Sequence, residues 1–149
     1  MKALTSFIPA ATAVLGVGCG PSWEGVFEGD AVSTFRCTDG SGDVQNVPEI
    51  RWTLEDLGES VTVAPRAGTC GAYTGRPEGN RLRMQSKNCP EFSAEGFLYR
   101  WTMSGGTLKL DGDNLTGELR FSYSVFFENG APAGTCSDTA TVDLIRVES

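Results

Sequence analysis

The chain has 149 residues, 12 basic and 19 acidic side chains and no histidine, for a net charge of -7. The missing histidine excludes Ser-His-Asp and Cys-His catalysis, histidine metal sites and histidine pH switches. The acidic balance excludes a surface that tracks phosphates, so no nucleic acid partner is expected. Taken in chain order, Met1 and Lys2 form a short positive start, and residues 3–18 carry no charge. A positive tip, an apolar centre and small residues before a cut are the layout of an export signal. The segment is shorter than the ~20 apolar residues that cross a bilayer as a helix. Gly16 and Gly18 are the small residues, and Cys19 follows them.

Gly16-Val17-Gly18-Cys19, with Leu15 just ahead, resembles the lipobox of bacterial lipoprotein precursors. The resemblance implies cleavage after Gly18 and acylation of Cys19, the palmitate-type chains acting as the membrane anchor. Residues 1–18 are then the lipoprotein signal peptide, 19–22 the lipidated N-terminus and a short tether, and 23–149 one folded domain. It also implies a bacterial cell envelope location. Gly20 stands where an aspartate would retain the protein at the inner membrane, which favours the outer one. Cysteine arithmetic agrees: of five cysteines, lipidation of Cys19 leaves an even set of four. More than one acyl chain makes a stable anchor. Without the signal, 19 acids face 11 bases, nine of them scattered arginines.

From Trp23 onward the pattern is strand after strand. Alternation predicts strands near 23–28, 31–37, 47–55, 60–64, 69–74, 81–86, 97–103, 107–111, 115–127 and 135–147, some merging across a bulge. Phe97, Tyr99, Trp101 and Met103 share one face. Leu115, Leu119, Phe121, Tyr123, Val125 and Phe127 share another. Glycine, proline, asparagine and aspartate clusters separate the runs: Gly58, "PEGN" at 77–80, Gly105-Gly106, "DGDN" at 111–114 and "ENGAPAG" at 128–134. The loosest stretch is 88–96. The expected fold is all-β, an antiparallel up-and-down meander of about eight or nine strands that closes into a barrel, since closure removes exposed edges.

Trp23 near the start and Arg146 on the last strand resemble the tryptophan and arginine at the closed end of lipocalin-like barrels. The resemblance implies that the Arg146 guanidinium covers the Trp23 indole, a cation–π contact at the barrel end. It also implies a small apolar ligand held inside.

Four cysteines in an oxidising envelope predict two disulfides. Cys70 and Cys89 flank the hairpin that turns at "PEGN" and are expected to pair. That leaves Cys37 with Cys136, on strands that become neighbours if the barrel closes. Metal binding is not expected, because there is no CxxC and no histidine. The acids at 39–43 and 111–118 fit hairpin turns better than calcium loops, which need a glycine at the sixth position and a glutamate at the twelfth. Glu55, Asp56 and Glu59 cluster at a turn rather than across a cleft, as carboxylate hydrolysis requires. The rings at 97, 99, 101, 121, 123 and 127 fit core packing first and the wall of an apolar cavity second. No cofactor is implied. The expected function is therefore a membrane-anchored binding or interaction module that catalyses nothing, its partner an envelope protein or a small apolar ligand. The alternatives are a lipocalin-like carrier and a carboxylate-dependent hydrolase.

Overall fold

The computed structural model describes residues 20–149. The signal segment and the expected lipidation residue, Cys19, lie outside the described residues. The ten elements are all strands: β1 (Gly25–Cys37), β2 (Gly42–Asp56), β3 (Val61–Pro65), β4 (Tyr73–Glu78), β5 (Arg81–Met84), β6 (Lys87–Asn88), β7 (Phe92–Ala94), β8 (Phe97–Asp111), β9 (Asn114–Phe127) and β10 (Pro132–Glu148). All pairings are antiparallel. The order runs β5-β4-β3-β2-β1-β10-β9-β8, and β5 pairs back onto β8, so eight strands form a closed up-and-down ring. The short strands β6 and β7 sit outside the ring, each paired with β8.

The ring interior is filled. Phe27, Leu54, Val61, Val63, Leu82, Met103, Leu108, Leu115, Leu119 and Leu144 are 0–2 % exposed and belong to one apolar cluster with Trp23, Trp52 and Tyr73. Among the described residues no polar or charged residue is buried. Alternation places these side chains inward, and small barrels are filled by such side chains rather than hollow.

The strands differ greatly in length, and this shapes the molecule. β3, β4 and β5 have 5, 6 and 4 residues, whereas β1, β2, β8, β9 and β10 have 13 to 17. The ring therefore closes only over the lower part of the long strands: β5 pairs with β8 from Thr107 to Lys109 and at Gly106, and β3 pairs with β2 from Trp52 to Asp56. Beyond that level β2, β1, β10, β9 and β8 continue together as an open sheet. From Ala31 to Cys37 the projection is about 20 Å at ~3.4 Å per residue.

Gly105-Gly106, expected as a turn, instead lies inside β8, which runs unbroken through the expected strands 97–103 and 107–111. The register shifts between Met103 and Gly105, so Ser104 and Gly105 form a bulge that bends β8 where the open sheet meets the ring. Gly106 has φ +155°, and a Cβ there would run into the carbonyl oxygen of Glu118 on β9. Gly106→Ala is expected to cost about 1–3 kcal/mol, measured as a fall in the urea midpoint with unchanged slope. β1 likewise joins the two expected strands at 23–28 and 31–37.

Both disulfides are formed. Cys37 is bonded to Cys136 and Cys70 to Cys89. Cys37 and Cys136 are register partners on β1 and β10, the first and last long strands, and the bond sits at the tip of the open sheet. The Cys70–Cys89 bond ties the loop after β3 to the segment after β6.

The expected Arg146–Trp23 stack is corrected by the structure: the ring under the guanidinium is Phe27, with Cζ 5.0 Å from its centroid. Register explains the exchange, because Phe27 is the direct cross-strand partner of Arg146, while Trp23 precedes β1. Arg146 still holds the backbone on both sides of Trp23, donating from Nη2 to the Ser22 carbonyl and from Nη1 to the Glu24 carbonyl, each at 2.7 Å.

Candidate functional site

The inner surface of the ring continues without a break onto one face of the open sheet, where no opposing strand covers it. Register identifies its side chains. Ser33, Phe35 and Cys37 of β1 stand opposite Ala140, Asp138 and Cys136 of β10. Those in turn stand opposite Leu119, Phe121 and Tyr123 of β9. Tyr123, Val125 and Phe127 oppose Trp101, Tyr99 and Phe97 of β8, and Phe92 of β7 opposes Tyr99. The expected aromatic stripe therefore divides at the mouth of the ring. Phe121, opposite Met103, and Trp101 pack against the core at the mouth, while Phe35, Tyr99, Tyr123, Phe97, Phe127 and Phe92 extend beyond it. Core packing holds for Phe121 and Trp101, and the other rings line the open face.

These rings form a connected array with the spacings of favourable aromatic pairs. Trp101 lies parallel to Tyr123 with centroids 5.6 Å apart, and Phe35 meets Tyr123 edge-on at 5.5 Å. Phe92 stacks on Tyr99 at 4.8 Å, and Phe97 contacts Phe127 at 5.6 Å. Phe92 and Phe127 are 42 % and 47 % exposed, while Phe35, Phe97, Tyr99, Trp101 and Tyr123 are half-buried, so the array is partly open to solvent. Trp101 is held in place by its indole N–H, which donates to the Pro90 carbonyl at 2.7 Å. A groove of about 390 Å³ crosses the outer end, lined by Phe35, Tyr99, Val125, Phe127, the Cys37–Cys136 bond and Asp39.

Polar groups are few here. Asp138 stands between Phe35 and Phe121 on its neighbouring strands, and its Oδ1 accepts from the Ser33 hydroxyl at 2.7 Å. Asp43 and Gln45 of β2 oppose Phe35 and Ser33, and the Gln45 amide donates to Asp43 at 2.8 Å. Burial pushes the Tyr123 phenol up to about 12, with the Asp138 charge and then Tyr73 adding to the effect. Burial also raises Tyr73. Because Tyr123 titrates near 10 when unfolded and near 12 when folded, its contribution to stability is whole below pH 10 and is lost as pH rises toward 12. Tyr123→Phe is expected to flatten that alkaline loss. Urea midpoints measured between pH 9 and 12 check it, and an unchanged slope against pH in the variant would assign the loss elsewhere.

The other residues singled out by sequence fall into structural roles. Asp39 accepts from both the hydroxyl and the backbone N–H of Ser41, which together hold its carboxyl below the usual range and shape the β1–β2 turn. Asp111 and Asn114 bracket the β8–β9 turn, and the Asp113 carbonyl accepts from the Arg146 backbone N–H at 2.8 Å. Asp56 accepts from Gly58 N–H within its own turn. Among the described residues no three His, Cys, Asp or Glu side chains gather closely enough to hold a metal ion. Sequence reasoning missed Asp138 and Ser33, which lie amid an ordinary strand. Their signal was positional: each falls on the same parity as Phe35 or Cys136, the inward face.

Comparisons of the chain with protein-family models, with curated proteins and with solved structures find no match.

Proposed function

We propose that this protein is a lipid-anchored envelope lipoprotein whose barrel displays a non-catalytic binding surface, the aromatic face, away from the membrane. The observation that carries the reading is the division of the inward face. Below the ring mouth it is packed solid, and above the mouth its rings are half-buried, with Phe92 and Phe127 exposed. Exposed aromatic side chains gathered on one rigid sheet are the usual makings of a recognition surface. The polarity of β1 supports the orientation. Its start, three residues from the tether, lies at the closed end of the ring, and its other end carries the aromatic face. An anchor on Cys19 would hold the closed end against the bilayer.

The filled interior argues against an enclosed carrier. Asp39, Asp56, Asp111 and Asp113 lie at turns, which argues against carboxylate hydrolysis by the acids that the sequence clusters. Two experiments test the reading. Cys19→Ala is expected to abolish fatty-acid labelling and release the domain from the membrane fraction, and a variant that still labels would remove the anchor from the proposal. The apolar probe N-phenyl-1-naphthylamine is expected to show no uptake into the ring. Saturable 1:1 uptake that is blocked by enlarging an interior residue, Val63→Phe, and untouched by Trp101→Leu, would make the protein a carrier instead.

A further inference from the structure

We propose that the aromatic face around Phe35, Trp101, Tyr123 and Asp138 binds a quaternary ammonium group. This deepens the reading of that face as a binding surface and rests on it. Among the described residues, the ionisable side chains that register or groove lining places on the face are Asp39, Asp43, Asp138, the tyrosines and one amine, Lys87. Lys87 lies at the inner end, where Nζ donates to the carbonyls of Cys70 and Ala72 at 2.7 and 2.8 Å. Arg146 shares the inward parity but lies at the closed end of the ring, over Phe27, whereas Arg100 and Arg120 sit at positions of opposite parity and point away: Arg100 pairs with Glu91 and lies over Phe126, and Arg120 pairs with Glu118. The outer part of the face therefore combines ring surface with negative charge and no cation.

Asp138 is the centre of the argument. Its carboxylate stands on a bed of rings, and among the described residues it forms no salt bridge. Ser33 supplies its one side-chain hydrogen bond. An uncharged apolar ligand laid over this bed would strip water from a carboxylate without compensating it. An anion would be repelled. A cation gains both from the carboxylate and from the negative faces of the rings. The type of cation follows from the acceptors left over: Asp39 and Asp43 already accept from Ser41, Val44 and Gln45, which leaves Asp138 as the acceptor beside the rings. A primary ammonium needs three hydrogen-bond partners when it leaves water, and Lys87 finds two of them in backbone carbonyls. The outer face offers rings instead, which suits a methylated ammonium with no N–H to satisfy. Lys87 itself shows that a cation is tolerated against this surface, with Nζ 5.9 Å from the Tyr73 centroid. The net charge of -7 would draw cations toward the molecule.

The test uses choline and its uncharged isostere 3,3-dimethyl-1-butanol, titrated against the disulfide-intact domain. The readout is the fluorescence of Trp101, which is partly exposed while Trp23 and Trp52 are buried. Choline is expected to saturate with a Kd of about 1 mM, and the alcohol to bind at least about tenfold more weakly. Asp138→Asn keeps the shape of the side chain and is expected to weaken choline about tenfold while leaving the alcohol unchanged. Trp101→Leu, followed by chemical-shift changes instead of fluorescence, is expected to weaken both probes. Equal binding of the two probes would overturn the cation and leave an apolar binding surface, so the proposed function would stand. Choline binding that Asp138→Asn does not change, or that fades in 0.5 M salt as diffuse surface attraction does, would overturn the site. Absence of binding by either probe would overturn it as well.

Discussion

Replacing Cys37 and Cys136 together by alanine is expected to destabilise the protein by about 4–5 kcal/mol, and replacing Cys70 and Cys89 by about 3 kcal/mol. The two bonds close loops of very different size, with sequence separations of 99 and 19. In the chain-entropy account, the longer loop restricts the unfolded chain more. The Cys37–Cys136 bond also joins the strands whose pairing completes the meander, β1 and β10, at their shared tip. Its loss should let the open sheet fray from that end, where Phe35 and Tyr123 stand, before the ring opens. Hydrogen exchange would then show early loss of protection at 32–37 and 132–139 and late loss at 27–31. Urea unfolding of the two double variants measures the ordering. A larger effect from Cys70 and Cys89 would mean that burial of Cys70, which is 4 % exposed, outweighs loop size.

The sequence made the inward faces legible, because a period of two is a direct imprint of the pleat. The parity of Phe97, Tyr99, Trp101 and Met103 is the observed one. What alternation cannot report is whether another strand lies across a given face. That depends on how long the opposing strands are, and β3, β4 and β5 stop short for local reasons. β4 was expected at 69–74 and is found at Tyr73–Glu78, because Cys70 and Gly71 are drawn into the loop bonded to Cys89. Pro77 within β4 lies beyond the part paired with β3, which ends at Gly75, so its missing N–H costs no ladder bond. The rings at 99 and 123 thus looked like core from sequence and line a half-open face in the fold, whereas Trp101 does pack against the core. Gly105-Gly106 misled for a related reason. Two glycines serve a turn and a bulge equally well, and only the partner strand distinguishes them. The disulfide partners were legible because each follows from strand adjacency, and Arg146 was legible as an end piece. Its ring partner was not, since a one-residue register shift at Val26/Phe27 decides which side chain lies opposite.

Arg146→Ala is expected to destabilise the protein by about 3 kcal/mol, the largest effect expected of any charged residue. Val142 and Leu144 of β10 point into the core, and Arg146 continues that face at the closed end. Its side chain is only 13 % exposed. The guanidinium ties three separate segments. Its two terminal nitrogens hold the carbonyls of Ser22 and Glu24, its plane lies over Phe27, and its Nε is 3.2 Å from Asp113 Oδ1 on the β8–β9 turn. That last approach is an ion pair by distance but not a hydrogen bond by angle, and Nε is otherwise buried without a partner. The energetic weight therefore rests on the two carbonyl bonds and the stacked ring. Asp113, 70 % exposed, adds little because exposed pairs are screened, so Asp113→Asn should change stability by less than about 1 kcal/mol. Arg146→Lys keeps the charge but replaces a planar fork with a single ammonium, which cannot span both carbonyls and stack as well. It should recover less than half of the loss. Urea unfolding of the three variants gives the ordering, and Trp23 emission follows the local consequence, since freeing residues 22–24 would let water reach an indole now 2 % exposed. If Arg146→Lys is as stable as the unaltered protein, charge alone closes the barrel end and the fork geometry contributes nothing.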